Sequence, residues 1–99
     1  MADLATAHAL YDGPWRSAKD PDSTLIYRWA YIRQTGEFLV RFYGNTTLYV
    51  YRGVSLKTVN NFVDAQSRGR YFNRYIKGKY RYMRIVGFFR RMLRKEFSL

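Results

Sequence analysis

Three segments rich in strand-forming residues follow one another with only short turns between them, and this spacing constrains the fold more than any other feature. They cover residues 25–32, 37–43 and 46–54. Gly36 closes the first turn and Gly44 opens the second, as is typical of residues that reverse the chain. Strands joined by connections this short pair in antiparallel order. The sequence therefore predicts a three-stranded antiparallel β-meander.

The alternation of side chains along these strands predicts which residues face the core. Successive residues of a strand point to opposite faces of a sheet, so Phe38 and Val40 share one face and Leu39 lies on the other. Tyr49 and Tyr51 also share a face. Tyrosine can line a core with its hydroxyl at the edge, or it can offer its ring to an unpaired base. We favour a core position for Tyr49 and Tyr51.

A helix is expected directly after the third strand. The Ser55 hydroxyl can accept a hydrogen bond from an otherwise unpaired backbone amide, which makes Ser55 a good N-cap. Val59, Phe62 and Val63 recur at helical spacing through about residue 66. We expect these three side chains to cover one face of the sheet.

A second, shorter helix is predicted from Ser67, which can cap it, to Gly78, which is placed to end it. Between them, aromatic and apolar residues recur at helical spacing: Tyr71, Phe72, Tyr75 and Ile76. Residues 83–97 predict a third, basic amphipathic helix, with an apolar stripe formed by Ile85, Phe89, Met92 and Leu93.

The predicted fold is thus α+β, with a three-stranded antiparallel β-meander followed by two short helices and a basic amphipathic C-terminal helix. The predicted organisation is an N-terminal arm over residues 1–22, an α+β domain over residues 23–85 and a basic helical extension over residues 86–99. A chain of 99 residues buries roughly two thirds of its unfolded surface, which is enough for one modest core.

The charge distribution predicts a polyanionic partner. The chain has 18 Lys and Arg against seven Asp and Glu, for a net charge of +11. From Ser67 to Leu99 only Glu96 is acidic, and this stretch holds most of the basic residues. Such an excess favours nucleic acid, an acidic protein surface or an anionic membrane. Of these, a membrane is the least expected, because no lipidation signal accompanies the C-terminal helix.

The start of the second predicted helix is the candidate anion site. The free backbone amides at this helix start would bind an anion near Ser67, and Gly69 would permit the close approach of the backbone to it. In the alternative interpretation, Ser67 only caps the helix and Gly69 only permits close packing. The residues predicted to contact nucleic acid or another partner are Arg68, Arg70, Tyr71, Arg74, Tyr75, Lys77, Lys79, Arg81, Arg84, Arg90, Arg91 and Arg94.

Enzymatic signatures are lacking in the sequence. It contains no cysteine, a single histidine (His8), no paired carboxylates and no phosphate-cradling loop. We therefore expect no catalytic activity, no metal and no cofactor. The N-terminal residues lack the basic start and apolar core of a signal peptide, so we expect a cytoplasmic protein.

The chain from Tyr49 onward resembles a known family. The pattern is Tyr-X-Tyr, Gly-Val, a helix, and then Ala-X-Ser-X-Gly-X-Tyr-Phe-Asn-X-X-Ile-X-Gly-X-Tyr, formed here by Tyr49, Tyr51, Gly53, Val54, Ala65, Ser67, Gly69, Tyr71, Phe72, Asn73, Ile76, Gly78 and Tyr80. Over about residues 23–85 the chain is similar to the KTSC domain, named from the C-terminus of some lysyl-tRNA synthetases and also found as stand-alone bacterial and phage proteins. The resemblance implies a compact α+β module and, from the synthetase context, RNA binding. The chain departs from the family pattern at Ser55, where a proline often follows Gly-Val, and in its basic extension from Met83 to Leu99.

Two functions are therefore our hypotheses. The first is a nucleic-acid-binding module that holds the phosphates of RNA or single-stranded DNA through its basic residues. The second is a protein-interaction module, in the manner of a small phage-encoded protein, that docks on an acidic surface of a nucleic-acid-processing enzyme and modulates or inhibits it. The C-terminal helix is expected to pack on its own domain, on a second copy of the chain or in the groove of a partner.

Overall fold

A computed structural model of the chain describes residues 25–90 and, for their backbone only, residues 16–17. Its centre is an antiparallel sheet with four strands within residues 25–90, one more than the sequence predicts. A two-residue strand pairs with the first of these and forms one edge of the sheet. In chain order, which is also the order across the sheet, the strands are β1 (Arg16–Ser17), β2 (Ile26–Ile32), β3 (Glu37–Phe42), β4 (Leu48–Tyr51) and β5 (Tyr82–Ile85).

The helical elements lie between β4 and β5. They are α1 (Leu56–Asp64), α2 (Arg68–Tyr71) and a π-helix (Phe72–Ile76) that continues α2 directly. Both predicted N-caps are confirmed: the Ser55 hydroxyl accepts a hydrogen bond from the Thr58 amide at 3.2 Å, and the Ser67 hydroxyl accepts one from the Arg70 amide at 3.3 Å. No helix within residues 25–90 is long and apolar enough to cross a membrane.

The predicted start of the C-terminal helix is wrong, because residues 83–85 belong to β5. Met83 lies opposite Val50 and Ile85 lies opposite Leu48, so both side chains lie on the same apolar face of the sheet. Gly87 then reverses the chain with a φ of +73°. Residues 88–90 are helical, and the remainder of the predicted helix lies outside the described residues.

One core cluster fills the space between the sheet and the helical elements, on what we call the helix face. Its centre is formed by Phe38, Phe62 and Phe72, all fully buried. The other members are Ile26, Trp29, Val40, Tyr51, Val54, Val59 and Ile76. The expectation that Val63 covers the sheet is wrong, since 36% of this residue is exposed. Val63 lies at the margin of the apolar stripe of α1, where the stripe turns towards solvent.

A second core cluster lies on the opposite face of the sheet. It contains Ala30, Leu39, Leu48 and Val50 from three strands, packed with Phe88 and Phe89. The backbone amide of Phe89 donates to the Thr46 carbonyl at 3.0 Å. The segment after β5 therefore returns beneath the sheet and is part of the same core.

An irregularity in β2 sets which of its side chains reach the helix face. Ile26 pairs with Phe42, but Arg28 pairs with Arg41, so one residue, Tyr27, is extra on this strand. Because of this β-bulge, Ile26 and Trp29 both enter the helix-face cluster despite their odd spacing. Strict alternation would have placed them on opposite faces.

A short tether fixes the connection from β4 to α1. The Val54 amide donates to the Gly36 carbonyl at 2.9 Å, and the Tyr31 hydroxyl donates to the Val54 carbonyl at 2.6 Å. Burial raises the pKa of the Tyr31 hydroxyl, and the nearby Arg33 only partly offsets this. The tether holds the start of α1 against the β2–β3 turn and so positions the helical segment that carries the predicted site.

Candidate functional site

A groove of about 540 Å³ runs along the outer side of α2 and the π-helix. We call it the arginine groove, because two of the predicted contact arginines, Arg70 and Arg74, line it. It is lined by Ala65, Gln66, Ser67, Arg70, Tyr71, Arg74 and Tyr75. Four of the predicted contact residues are thus brought together on one surface.

The tyrosines of the arginine groove are held by ring contacts. The rings of Tyr71 and Tyr75 lie 4.6 Å apart, and the Tyr71 ring packs edge-on against the buried Phe62 at 6.4 Å. The Arg74 guanidinium lies 5.6 Å from the centre of the Tyr75 ring, within the range of a cation–π contact. Tyr75 is exposed. The groove therefore offers an anchored aromatic pair with two guanidinium groups beside it.

Arg68 has a different position from the other two arginines of this block. Its guanidinium donates to the Val63 carbonyl through Nε at 3.3 Å and through a terminal nitrogen at 3.0 Å. The Val63 carbonyl is near the C-terminus of α1, where backbone acceptors lack helical partners. Arg68 therefore links α1 to α2, and it does not line the groove.

The predicted anion site at the start of α2 has its polar groups engaged in capping. The Ser67 hydroxyl accepts from the Arg70 amide, and the Tyr71 amide donates to the Ser67 carbonyl at 3.0 Å. Gly69 is buried. This geometry favours capping and packing as the roles of Ser67 and Gly69, and anion binding at this helix start stays a prediction.

A second concavity, of about 330 Å³, lies on the other side of the same helical segment, against β4 and β5. We call it the aromatic pocket. Two polar side chains, Asn73 and Lys77, contribute to its lining, together with Leu25 and Gly78. The rest of its wall consists of aromatic rings, those of Phe42, Tyr49, Tyr51, Phe72 and Tyr82.

The rings of the aromatic pocket form a contiguous network. Tyr51 and Phe72, both buried, meet edge-on with centres 5.3 Å apart. Tyr82 stacks on Tyr51 at 5.3 Å with an angle of 29° between the planes, and 53% of Tyr82 is exposed. Tyr49 lies between Phe42, at 5.0 Å, and Tyr82, at 6.1 Å. Tyr51 and Phe72 are therefore the buried base of the pocket, and Tyr82 is its open wall.

Burial also raises the pKa of one hydroxyl in the pocket. It raises the pKa of the Tyr51 hydroxyl to about 12, with smaller contributions in the same direction from the neighbouring Tyr82 and Tyr49 hydroxyls. The Tyr51 hydroxyl is therefore protonated at neutral pH. The expected core position of Tyr51 is confirmed, whereas Tyr49 is partly buried and packs at the margin of the cluster.

The remaining predicted contact residues that the structure describes line neither concavity. Lys79, Arg81, Arg84 and Arg90 are exposed. Arg84 lies directly opposite Tyr49 on the neighbouring strand, so its side chain projects from the helix face beside the aromatic pocket. Arg91 and Arg94 lie outside the described residues, as does His8.

Sequence reasoning missed the aromatic pocket as a site. Tyr82 was recognisable as an exposed aromatic residue, but the predicted helix from residue 83 hid its position next to Tyr51. The period-two alternation of Met83 and Ile85, which matches the alternation of β4, was the available signal. Asn73 was named only as part of the family pattern, and its place in the pocket follows from the packing of the π-helix against the sheet.

The comparisons with known proteins agree with this fold. The KTSC domain family model matches residues 22–80. A crystal structure of a KTSC domain protein from Yersinia pestis has a TM-score of 0.64 and 28% sequence identity, over 73% of this chain and 96% of that chain. No curated protein matches the chain. Since the family model covers more than half of its residues, the chain belongs to the KTSC domain family.

Proposed function

We propose that this domain binds RNA or single-stranded DNA, chiefly through the phosphate backbone. The observation that carries the proposal is the arginine groove, in which the Arg74 guanidinium lies over the exposed ring of Tyr75 and Arg70 lines the same groove. Guanidinium groups pair with phosphate oxygens, and aromatic rings beside them accept the faces of unpaired bases. The bases of a duplex are paired and stacked on one another, so they are not free to stack on such rings. We therefore favour single strands.

The charge around the groove supports the same function. From residue 38 to residue 95 the only acid is Asp64, so few carboxylates compete for the arginines of this surface. Lys77, Lys79 and Arg84 extend the positive surface from the helical segment towards β5. A continuous basic surface of this kind attracts a polyanion and follows its backbone.

The test is the binding of mixed-sequence single-stranded RNA and DNA at increasing salt, measured by fluorescence anisotropy. The logarithm of the association constant should fall linearly with the logarithm of the salt concentration, by about 0.7 for each phosphate neutralised. The Arg70→Glu/Arg74→Glu variant should bind more weakly at every salt concentration, and its slope should be shallower by about 1.4 for two lost contacts.

The control is Arg28→Glu/Arg33→Glu, which makes the same change in net charge at two exposed positions on β2 and its following turn. It should reduce affinity much less than the groove variant. Undetectable binding of the unmodified chain at low salt would overturn the proposal. Equal losses in the two variants would mean that net charge, and not the groove, determines affinity.

A second candidate function is docking on an acidic protein surface, and the edge strand β5 favours it. Within residues 25–90 no strand pairs with the outer edge of β5, and Tyr82 and Arg84 of this strand are exposed on the helix face. Such an edge can add an extended peptide from a partner, with its cations paired to acidic side chains. Affinity capture from lysate with and without nuclease separates the candidates. One stoichiometric protein partner that survives nuclease supports the second, and nucleic acid that is lost on nuclease treatment supports the first.

A further inference from the structure

The aromatic pocket is large and open enough for a planar ring, and its chemistry differs from that of the arginine groove. Its volume, about 330 Å³, is at the lower end of the range typical of small-molecule pockets. The buried rings of Tyr51 and Phe72 close its base, and the half-exposed Tyr82 forms one wall. An aromatic ring with one face on Tyr51 and its remaining surface open can accept a second planar group.

The polar groups at the pocket select the kind of planar group that fits. The Asn73 amide has both hydrogen-bond donors and an acceptor, as the polar edge of a nucleobase requires. The Tyr51 hydroxyl is protonated at neutral pH and can donate. A heteroaromatic base can pair with the Asn73 amide and the Tyr51 hydroxyl, whereas a purely apolar ligand offers them no hydrogen bond.

Cations lie at the mouth of the same pocket. Lys77 contributes to its lining, and Arg84 projects beside Tyr49 from the adjacent strand. Both side chains are exposed. A ligand whose ring enters the pocket would therefore have positive charge next to its outer end, where a nucleotide carries its phosphate.

From this arrangement we propose that the aromatic pocket receives one unpaired nucleobase of the bound strand, stacked on Tyr82, with the adjoining phosphate held by Lys77 and Arg84. The inference rests on the proposed function and extends it, because it makes binding depend on bases as well as on phosphates. The arginine groove and the aromatic pocket lie on two sides of residues 65–78, so a single strand passing over this segment can reach both.

The test compares two short strands of equal charge: oligothymidylate of about eight nucleotides, a length within the usual range of single-strand sites, and its fully abasic analogue. The unmodified chain should bind oligothymidylate more tightly. Tyr82→Ala should weaken binding of oligothymidylate by about 5-fold to 150-fold, the range for loss of one stacked base, and should leave binding of the abasic strand unchanged. Tyr82→Phe retains the ring and should bind like the unmodified chain.

Tyr43→Ala is the matched control, since Tyr43 is also 53% exposed but does not line the pocket. Thermal denaturation of each variant checks that it remains folded. A Tyr82→Ala variant that binds both strands like the unmodified chain would overturn the pocket proposal and leave the phosphate-binding function intact. Binding of neither strand by the unmodified chain would overturn both proposals.

Discussion

Both faces of the sheet bury apolar residues, but they differ in which elements cover them and in whether aromatic side chains at their margins reach solvent. The helix face is covered by α1, α2 and the π-helix. Tyrosines that reach solvent pack at the margin of its core cluster. The opposite face contains an aliphatic cluster of Leu39, Leu48 and Val50 closed by Phe88 and Phe89. Among residues 25–90, both concavities described above therefore lie on the helix side of the sheet.

The same face contains both buried and exposed tyrosines. Tyr51 is buried and belongs to the core, yet it touches Tyr82, which is half exposed. A core that ends in stacked aromatic rings has a wall that is rigid and still available to a ligand. On this face, the residues that stabilise the fold and those that could bind a partner are neighbours.

The largest expected effect comes from removing the ring that both the core and the aromatic pocket share. Phe72 is fully buried and packs against Phe42 and Tyr51, so Phe72→Ala should lower the free energy of unfolding by about 3–5 kcal/mol. Urea denaturation followed by circular dichroism measures this loss. Val63→Ala, at an exposed position of α1, should change stability by less than about 0.5 kcal/mol.

Phe89→Ala makes the corresponding change on the opposite face, where the ring is buried and a guanidinium, that of Arg41, lies 4.8 Å from its centre. It should cost about 3 kcal/mol but leave oligonucleotide affinity unchanged under conditions where the variant is folded. If instead Phe89→Ala weakened oligonucleotide binding as strongly as Tyr82→Ala, the two faces would not be functionally distinct.

A smaller effect should appear only at high pH. The pKa of Tyr51 is raised to about 12 in the folded chain, so between about pH 10 and 12 the unfolded chain loses this proton while the folded chain retains it. Stability therefore falls as the pH rises through this window, by up to about 3 kcal/mol from this group.

Tyr51→Phe removes this ionisation, so its stability should decline less steeply than that of the unmodified chain over the same window. The other tyrosines titrate in both proteins and cancel in the comparison. The measurement is the urea midpoint at a series of pH values. Parallel curves for the two proteins would mean that burial of Tyr51 does not hold its proton.

The smallest predicted effect concerns the tether that positions α1. Tyr31→Phe removes the hydrogen bond to the Val54 carbonyl and should reduce stability by about 1 kcal/mol. Tyr43→Phe, at an exposed tyrosine, is the control and should be neutral within about 0.5 kcal/mol. A Tyr31→Phe variant as stable as the control would show that water replaces the lost donor at no cost.

Local chemistry made much of the fold predictable. Ser55 and Ser67 were identifiable as caps because their hydroxyls stand where backbone amides lack partners, and Gly78 was identifiable as a helix end, with an observed φ of +79°. The meander followed from turn spacing. The four residues of β5 were not predicted in this way, because Ile85 also fits the apolar stripe of a helix with Phe89, and pairing with the distant β4 decides between strand and helix.

The arginine groove and the aromatic pocket also differ in how far local sequence predicts them. Arg70, Arg74 and Tyr75 lie close together because they share a short helical segment, and the sequence analysis named all three as contact residues. The aromatic pocket depends on the pairing of Tyr82 with Tyr51 across more than 30 residues of chain, which no local pattern contains. The bulge at Tyr27 was equally hidden, since an extra residue in a strand leaves no mark on composition.

The π-helix has a consequence for how this surface can vary among related chains. The Lys77 amide donates to the Phe72 carbonyl, five residues earlier, at 2.9 Å, so this turn holds one residue more than an α-helical turn. Deleting one residue between Phe72 and Ile76 would restore α-helical spacing and rotate the C-terminal end of the segment by about 100°. Lys77 and Gly78 would then leave the aromatic pocket, and Arg74 and Tyr75, which lie within the π-helix, would shift relative to Arg70 in the arginine groove. An alignment gap at this position would therefore mark relatives in which both surfaces are altered together.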